Sequence, residues 1–215
     1  MTMKRMGPRA GAKAGIVLAH GRGGTAADIL GLMAAAGLSD VAALAPEAPG
    51  QSWWPTSFLA PTAVLAPFVE RGTAAMVQAV AELEAEGLAR RDIWLGGFSQ
   101  GACLALETFA RSGAGLGGVF AFSGGLLGTG DTGGPADDAL YGHAAKAFDY
   151  PGRRDASRVW LSVHERDPHI PLLRVQESAT VLQGLGAMVE AKIYPGAGHR
   201  VMPADLAALQ AWIRG

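Results

Sequence analysis

Cysteine is almost absent from this chain: Cys103 is the only one in 215 residues, so no intrachain disulfide can form. That usage suits a reducing compartment, and the cytoplasm is the expected location. Charge is scarce as well. Only 17% of residues are charged, and 18 basic against 19 acidic side chains leave a net charge of -1. Neither sign forms a block able to clamp a phosphate backbone, which excludes nucleic acid as an expected partner. Long unbroken apolar runs are missing too. The uncharged stretches 48–69 and 112–130 approach the length of a membrane span, but the first carries Pro49, Pro55, Pro61 and Pro67 and the second is rich in glycine. Neither reads as a spanning helix, and no integral membrane association is expected. The basic start is followed by too few apolar residues before His20 for an export signal.

Apolar residues are plentiful, at 49%, enough to bury one sizeable core. Short apolar runs ending in glycine or proline predict strands at 15–19, 41–45, 93–95, 119–122, 159–163 and 189–194. Alanine-rich stretches with helical spacing predict helices at 26–36, 73–86, 100–111, 172–185 and 204–214. Alternation of this kind specifies an α/β fold: a doubly wound, mostly parallel sheet flanked by helices. We read a single domain over 1–215 without a separate cap domain, its first thirteen residues flexible. Two segments interrupt the alternation. The proline-rich stretch 46–67 and the glycine- and aspartate-rich stretch 124–157 read as long loops, the second with a weak helical patch at 141–148 and expected near the site.

Residues 97–101 read G-F-S-Q-G. In the strand-turn-helix form of G-x-S-x-G, the serine sits on a sharp turn that lifts its oxygen clear of the sheet. A strand candidate precedes Ser99 and a helix candidate follows it, so Ser99 is the expected nucleophile. Ser123, in A-F-S-G-G, follows an equally good strand but is succeeded by LLGTGDTGGP, which cannot begin a helix. Without a helix N-terminus behind it, Ser123 reads as a structural turn serine.

A serine hydroxyl needs a neighbouring base. His199 lies in the glycine-rich loop between the last strand and the last helix, and the order Ser, then Asp or Glu, then His is that of elbow hydrolases. Asp167, just past the strand at 159–163, is the expected orienting acid, with Glu165 its main rival and Asp155 and Asp205 weaker ones. His164, Asp167 and His169 also allow a metal reading, although their spacing matches no strong zinc pattern and no metal is expected.

The loop A-H-G-R-G-G-T after the first predicted strand suits an oxyanion hole. Its expected donors are the backbone amides of Arg22 and Gln100, with Gly23 as the alternative to Arg22. Thr25 reads as a helix N-cap. The Arg22 side chain has two readings, a two-pronged contact to an anionic substrate or a surface or structural pairing. Trp53 and Trp54 are expected to bind substrate at a cleft, the other reading being core packing. Cys103 reads as an inert buried residue.

Taken together, H-G-R-G-G at 20–24, S-W-W-P at 52–55, G-F-S-Q-G at 97–101, D-P-H-I-P at 167–171 and G-A-G-H at 196–199 resemble the phospholipase/carboxylesterase family of α/β-hydrolases, which includes acyl-protein thioesterases and small carboxylesterases. The resemblance implies an α/β-hydrolase fold and cofactor-free hydrolysis of a small-molecule carboxylic ester or thioester, often by a homodimer. Thioesterase and lysophospholipase activity are the variants on the same residues, and a catalytically silent binding protein is the reading from another class. Arg22-Gly23-Gly24 departs from the family's usual apolar residue followed by Gly-Asp, and 124–157 is longer than the usual connection. Dienelactone hydrolases are also similar, but they carry cysteine at the elbow where this chain has Ser99.

Overall fold

The computed structural model describes residues 1–132 and 144–215. Strands β1 (Met3–Met6), β2 (Gly15–Ala19), β3 (Ala42–Pro46), β4 (Ile93–Phe98), β5 (Gly118–Phe122), β6 (Arg158–Arg166) and β7 (Met188–Ala197) form one sheet. Their spatial order is β1-β3-β2-β4-β5-β6-β7, with β1 antiparallel to β3 and every other pair parallel. Parallel neighbours require crossover helices, which α1 (Ala26–Ala35), α2 (Thr62–Ala85), α3 (Gln100–Ser112) and α4 (Leu172–Gly184) supply, while α5 (Pro203–Arg214) closes the chain.

Helices on both faces explain why β2, β3 and β5 are buried at every position and read as continuous apolar runs rather than alternating ones. One core layer packs Val17, Leu95 and Val119 against Leu104 and Phe109 of α3, Met76 of α2 and Val175 of α4. The opposite layer packs Ile16, Leu18 and Phe120 against Ile29 and Met33 of α1 and Leu209 of α5. Chain order reverses about β2, whose neighbours are β3 on one side and β4 on the other. The carboxyl ends of β2 and β4 therefore flank the crevice where doubly wound sheets place their sites. At the outer edge, β7 exposes Glu190 and Lys192 and carries Pro195, features that discourage edge-to-edge pairing.

Three expectations are corrected. The first thirteen residues are not uniformly loose, because β1 pairs with β3 from Met3 opposite Pro46 to Met6 opposite Ala43. Arg5 also binds Glu82 and Glu86 of α2. Second, α2 begins at Thr62, inside the proline-rich stretch expected to be loop. Pro67 withholds one amide from this helix. The helix start is instead secured from outside: Thr62 N–H donates to the Thr129 carbonyl at 3.2 Å, and Ala63 N–H to Asp131 Oδ1 at 2.7 Å. Third, residues 144–148 are not helical, the rest of the patch expected at 141–148 lying outside the described residues.

The described parts of 124–157 do not line the cleft but support its wall from behind. Gly128 N–H donates to Phe58 O at 2.7 Å and Thr129 Oγ1 to Leu59 O at 3.0 Å. Anchorage comes from Glu107 on α3, which is fully buried. It accepts from the Tyr150 hydroxyl at 2.8 Å, from Arg111 at 2.8 Å and from Leu127 N–H at 3.3 Å, with the Lys146 ammonium 3.6 Å away. Burial, then the adjacent Glu107 carboxylate, push the Tyr150 hydroxyl pKa far up and keep it a donor. Glu107→Ala would strand Lys146 and Tyr150 in the interior, and a loss of about 3 to 5 kcal/mol in urea unfolding is expected. A loss below about 1 kcal/mol would mean that this network does not anchor the connection.

Candidate active site

Ser99 occupies the turn between β4 and α3 with φ 55° and ψ -121°, a left-handed conformation that costs a non-glycine residue energy. The turn closes because its flanking residues lack side chains. A Cβ on Gly97 would stand 2.4 Å from the Gly101 carbonyl, and one on Gly101 would stand 2.0 Å from the Ala19 carbonyl oxygen. The start of α3 thereby lies directly against the end of β2. Ser99 N–H donates to Phe122 O at 2.9 Å, which ties the turn to the next strand.

His199 reaches this serine from the loop after β7, its Nε2 lying 2.8 Å from Ser99 Oγ. Its Nδ1 lies 3.0 and 2.9 Å from the two carboxylate oxygens of Asp167. Asp167 Oδ1 also accepts from the amides of His169 at 2.9 Å and Ile170 at 3.1 Å, so the D-P-H-I-P turn holds the carboxylate from below. The Asp167 side chain is fully buried, whereas that of His199 is 17% exposed. Burial alone would raise the Asp167 pKa. The hydrogen bonds from His199, His169 and Ile170 outweigh it and hold the group below the ordinary 3.8. Phe98 and His169 flank the His199 ring, with centroids 4.9 and 4.8 Å away. Beneath the loop, Gly198 packs on the buried His164 ring, which a Cβ there would meet at 2.7 Å.

The rival residues have other partners. Glu165 accepts from Gly196 N–H at 3.0 Å and so fastens the end of β7. Asp155 pairs with Arg153 on the surface. Asp205 is buried, accepting from Trp160 Nε1 and the Tyr194 hydroxyl at 2.9 Å each. Ser123 is buried at the end of β5, its N–H donating to Ser162 O at 2.7 Å. His164 stacks on Tyr194 while Asp167 faces His199, so the three residues of the metal reading do not converge. Cys103 is buried, and burial pushes its thiol up to about 12, which keeps it unreactive.

Ser99 and His199 open into a cleft of about 850 Å³. Its walls are largely apolar, from Trp54, Phe58, Leu59, Phe98 and Ile170, with Thr56 and Ser57 as polar points and, among the described residues, no acidic side chain. Arg22 and Gln100 line the same cleft, and neither amide is spent on an acceptor among the described residues. Gly23 is excluded as a donor, since its N–H bonds Gln51 O at 2.8 Å. Thr25 caps α1, its hydroxyl accepting from Asp28 N–H. The tryptophans separate. Both are buried in the core, Trp54 at 1% and Trp53 at 2% exposure, but Trp54 also borders the cleft, whereas Trp53 donates from Nε1 to His20 O at 2.9 Å and stacks on the His20 ring.

Sequence reasoning missed the roles of several side chains. Gln100, assigned for its amide alone, accepts from Trp53 N–H at 2.9 Å and donates to Trp54 O at 2.8 Å. Arg22 is exposed, and its guanidinium binds the carbonyls of Trp54, Pro55 and Thr56 rather than an acidic residue. His20 accepts from Ala48 N–H through Nε2 and donates from Nδ1 to Gly21 O, the pattern of a neutral ring. The placement of histidine, arginine and glutamine beside the predicted loops was visible in sequence, but their partners lie some thirty to fifty positions away.

A seven-stranded doubly wound sheet with a serine elbow at the switch point defines an α/β-hydrolase fold. Over residues 6–134 the chain matches the model of the phospholipase/carboxylesterase family, and it belongs to that family. A phospholipase/carboxylesterase from Dyadobacter fermentans is 37% identical, with a TM-score of 0.84 over 99% of this chain and 96% of that one. Esterase PE8 is 26% identical, with a TM-score of 0.74 over 98% and 96%. Acyl-protein thioesterase 1 of Gibberella zeae is 34% identical over 132 residues, which are 60% of this chain. The match spans about half, 49%, of that relative's length.

The lowered Asp167 pKa makes a prediction about stability. A carboxylate whose folded pKa lies below its unfolded value contributes stability above the unfolded value and loses it as the pH falls through the folded one. The stability difference between the wild type and Asp167→Asn should therefore be largest near neutrality and shrink below pH 3.8. A difference in urea unfolding that stays flat or grows toward pH 2 would contradict this assignment of charge.

Proposed function

We propose that this protein is a serine carboxylesterase, and that it hydrolyses small to medium acyl esters through an acyl-enzyme on Ser99. The observation that carries this reading is the unbroken hydrogen-bond chain from Ser99 through His199 to Asp167 at the mouth of an apolar cleft. Ser99 Oγ attacks the acyl carbonyl while His199 Nε2 takes its proton. The anion that develops on the carbonyl oxygen is met by the amides of Arg22 and Gln100, the latter at the N-terminus of α3, where the helix dipole favours negative charge. The tetrahedral adduct expels the alcohol, which receives the proton from His199. Water then adds to the acyl-enzyme with His199 again as base, releasing the acid and restoring the serine. Asp167 holds the histidine with Nδ1–H toward its own oxygens and Nε2 free to accept, and it stabilises the imidazolium.

Among the described residues the cleft walls carry no acidic side chain and are largely apolar, which supports an uncharged or apolar acyl group. The reading gives Trp54 a role as cleft wall and withdraws it from Trp53. With its guanidinium committed to three carbonyls, Arg22 is not assigned to an anionic substrate. Membership of a family that includes carboxylesterases supports the chemistry, and a relative named acyl-protein thioesterase 1 keeps a thioester as the second reading. The proposed setting is the cytoplasm. Among the described residues, no helix is long and apolar enough to cross a membrane.

The test is turnover of p-nitrophenyl butyrate. Ser99→Ala should abolish it without unfolding the chain, and Asp167→Asn should lower kcat by about ten thousand-fold, the scale seen when a triad carboxylate is neutralised. Glu165→Gln should leave kcat within about tenfold. Full turnover by Ser99→Ala would refute the serine mechanism, and a larger loss from Glu165→Gln than from Asp167→Asn would move the acid. Matched oxygen and sulfur esters of the same acyl group decide between esterase and thioesterase.

A further inference from the structure

The two residues whose amides are assigned to the oxyanion hole are also joined through their side chains. Gln100 Nε2 donates to the Trp54 carbonyl at 2.8 Å, and Arg22 Nη2 donates to the same oxygen at 3.2 Å. Ser52 Oγ is a third donor to it, at 2.8 Å. Gln100 Oε1 accepts from Trp53 N–H at 2.9 Å, so this one side chain grips the segment through both its donor and its acceptor. The guanidinium continues along the segment to the carbonyls of Pro55 and Thr56. A planar fork with several fixed N–H directions can satisfy three successive carbonyls, whereas a lysine ammonium on a flexible stem cannot.

The Gln100 amide is fixed by the helix it opens. The Arg22 amide stands in a glycine-rich loop, where separate hydrogen bonds rather than a helix restrain it. Among these, Gly23 N–H binds Gln51 O, and it too runs to the 48–56 segment. We propose that the segment Ser52–Thr56 is a brace that sets the position of the Arg22 amide relative to that of Gln100, with the Arg22 and Gln100 side chains as positioning residues at its two ends. The inference rests on Ser99 being the nucleophile. It gives the exposed arginine of H-G-R-G-G a role other than contact with an anionic substrate. An oxyanion donor acts only when it is held where the oxygen becomes charged in the transition state, so loosening the brace should reduce kcat and spare ground-state binding.

The experiment compares Arg22→Met, Arg22→Lys, Gln100→Met and the double Met variant, since methionine keeps side-chain bulk but donates no hydrogen bond. Each Met variant is expected to lose about ten- to hundredfold in kcat, the scale of a misplacement near 1 Å, with KM within about twofold. Arg22→Lys should fall between Arg22→Met and the wild type. Affinity for a trifluoromethyl ketone, which forms a tetrahedral adduct with the serine, should fall by the same factor as kcat. Because both side chains hold one segment, the double variant should lose little more than the worse single one. Hydrogen exchange in peptides covering 50–57 should rise in each Met variant. Unchanged kcat, a loss confined to KM, or single losses that multiply in the double variant would each overturn the brace. Full turnover by Ser99→Ala would instead remove the reading on which it rests.

Discussion

The site depends on one close approach of backbone to backbone. With Gly101 lying against the Ala19 carbonyl, the N-terminus of α3 is pressed onto the end of β2, and Ser99 is left in a left-handed conformation between them. Any Cβ at that contact would force the helix off the strand. The oxyanion loop would then part from the nucleophile, since the first belongs to β2 and the second to β4. The strain in Ser99 persists because β4 and α3 are buried and hold the turn from both sides.

Electrostatics complete what the backbone begins. A carboxylate sealed from solvent costs stability unless each oxygen is satisfied, and Asp167 meets that condition with two amides of its own turn and the imidazole of His199. The same bonds fix the ring, which Phe98 and His169 flank. Only the Nε2 side of the histidine is thus left to serve Ser99. An exposed acid such as Glu165, bonded to Gly196, could not define the ring in this way.

The sequence was most legible where periodicity and turn chemistry agree. The buried strands β2, β4 and β5, the helix behind G-F-S-Q-G and the loop positions of Asp167 and His199 all follow from local patterns. It was less legible where long-range partners override local preference. Proline made 61–67 look like loop, yet Thr129 and Asp131 secure the start of α2 from a distant segment. The β1 strand has little apolar patterning of its own, and its partner β3 and the acids of α2 order it. Trp53 and Trp54 are adjacent and both buried, but nothing local tells which one borders the cleft. The His20 carbonyl and ring decide it. The side-chain roles of Arg22 and Gln100 are hidden for the same reason, since each partner is another segment's backbone.

The central claim is that Ser99 is made nucleophilic by His199, and site-resolved labelling tests it most directly. Incubation with a fluorophosphonate, followed by digestion and mass spectrometry, should modify one serine, Ser99, in step with loss of esterase activity. The rate should fall steeply in His199→Ala, because the hydroxyl then has no base. Modification of Ser123 or another serine in step with activity loss, or labelling of Ser99 at an undiminished rate in His199→Ala, would contradict the account.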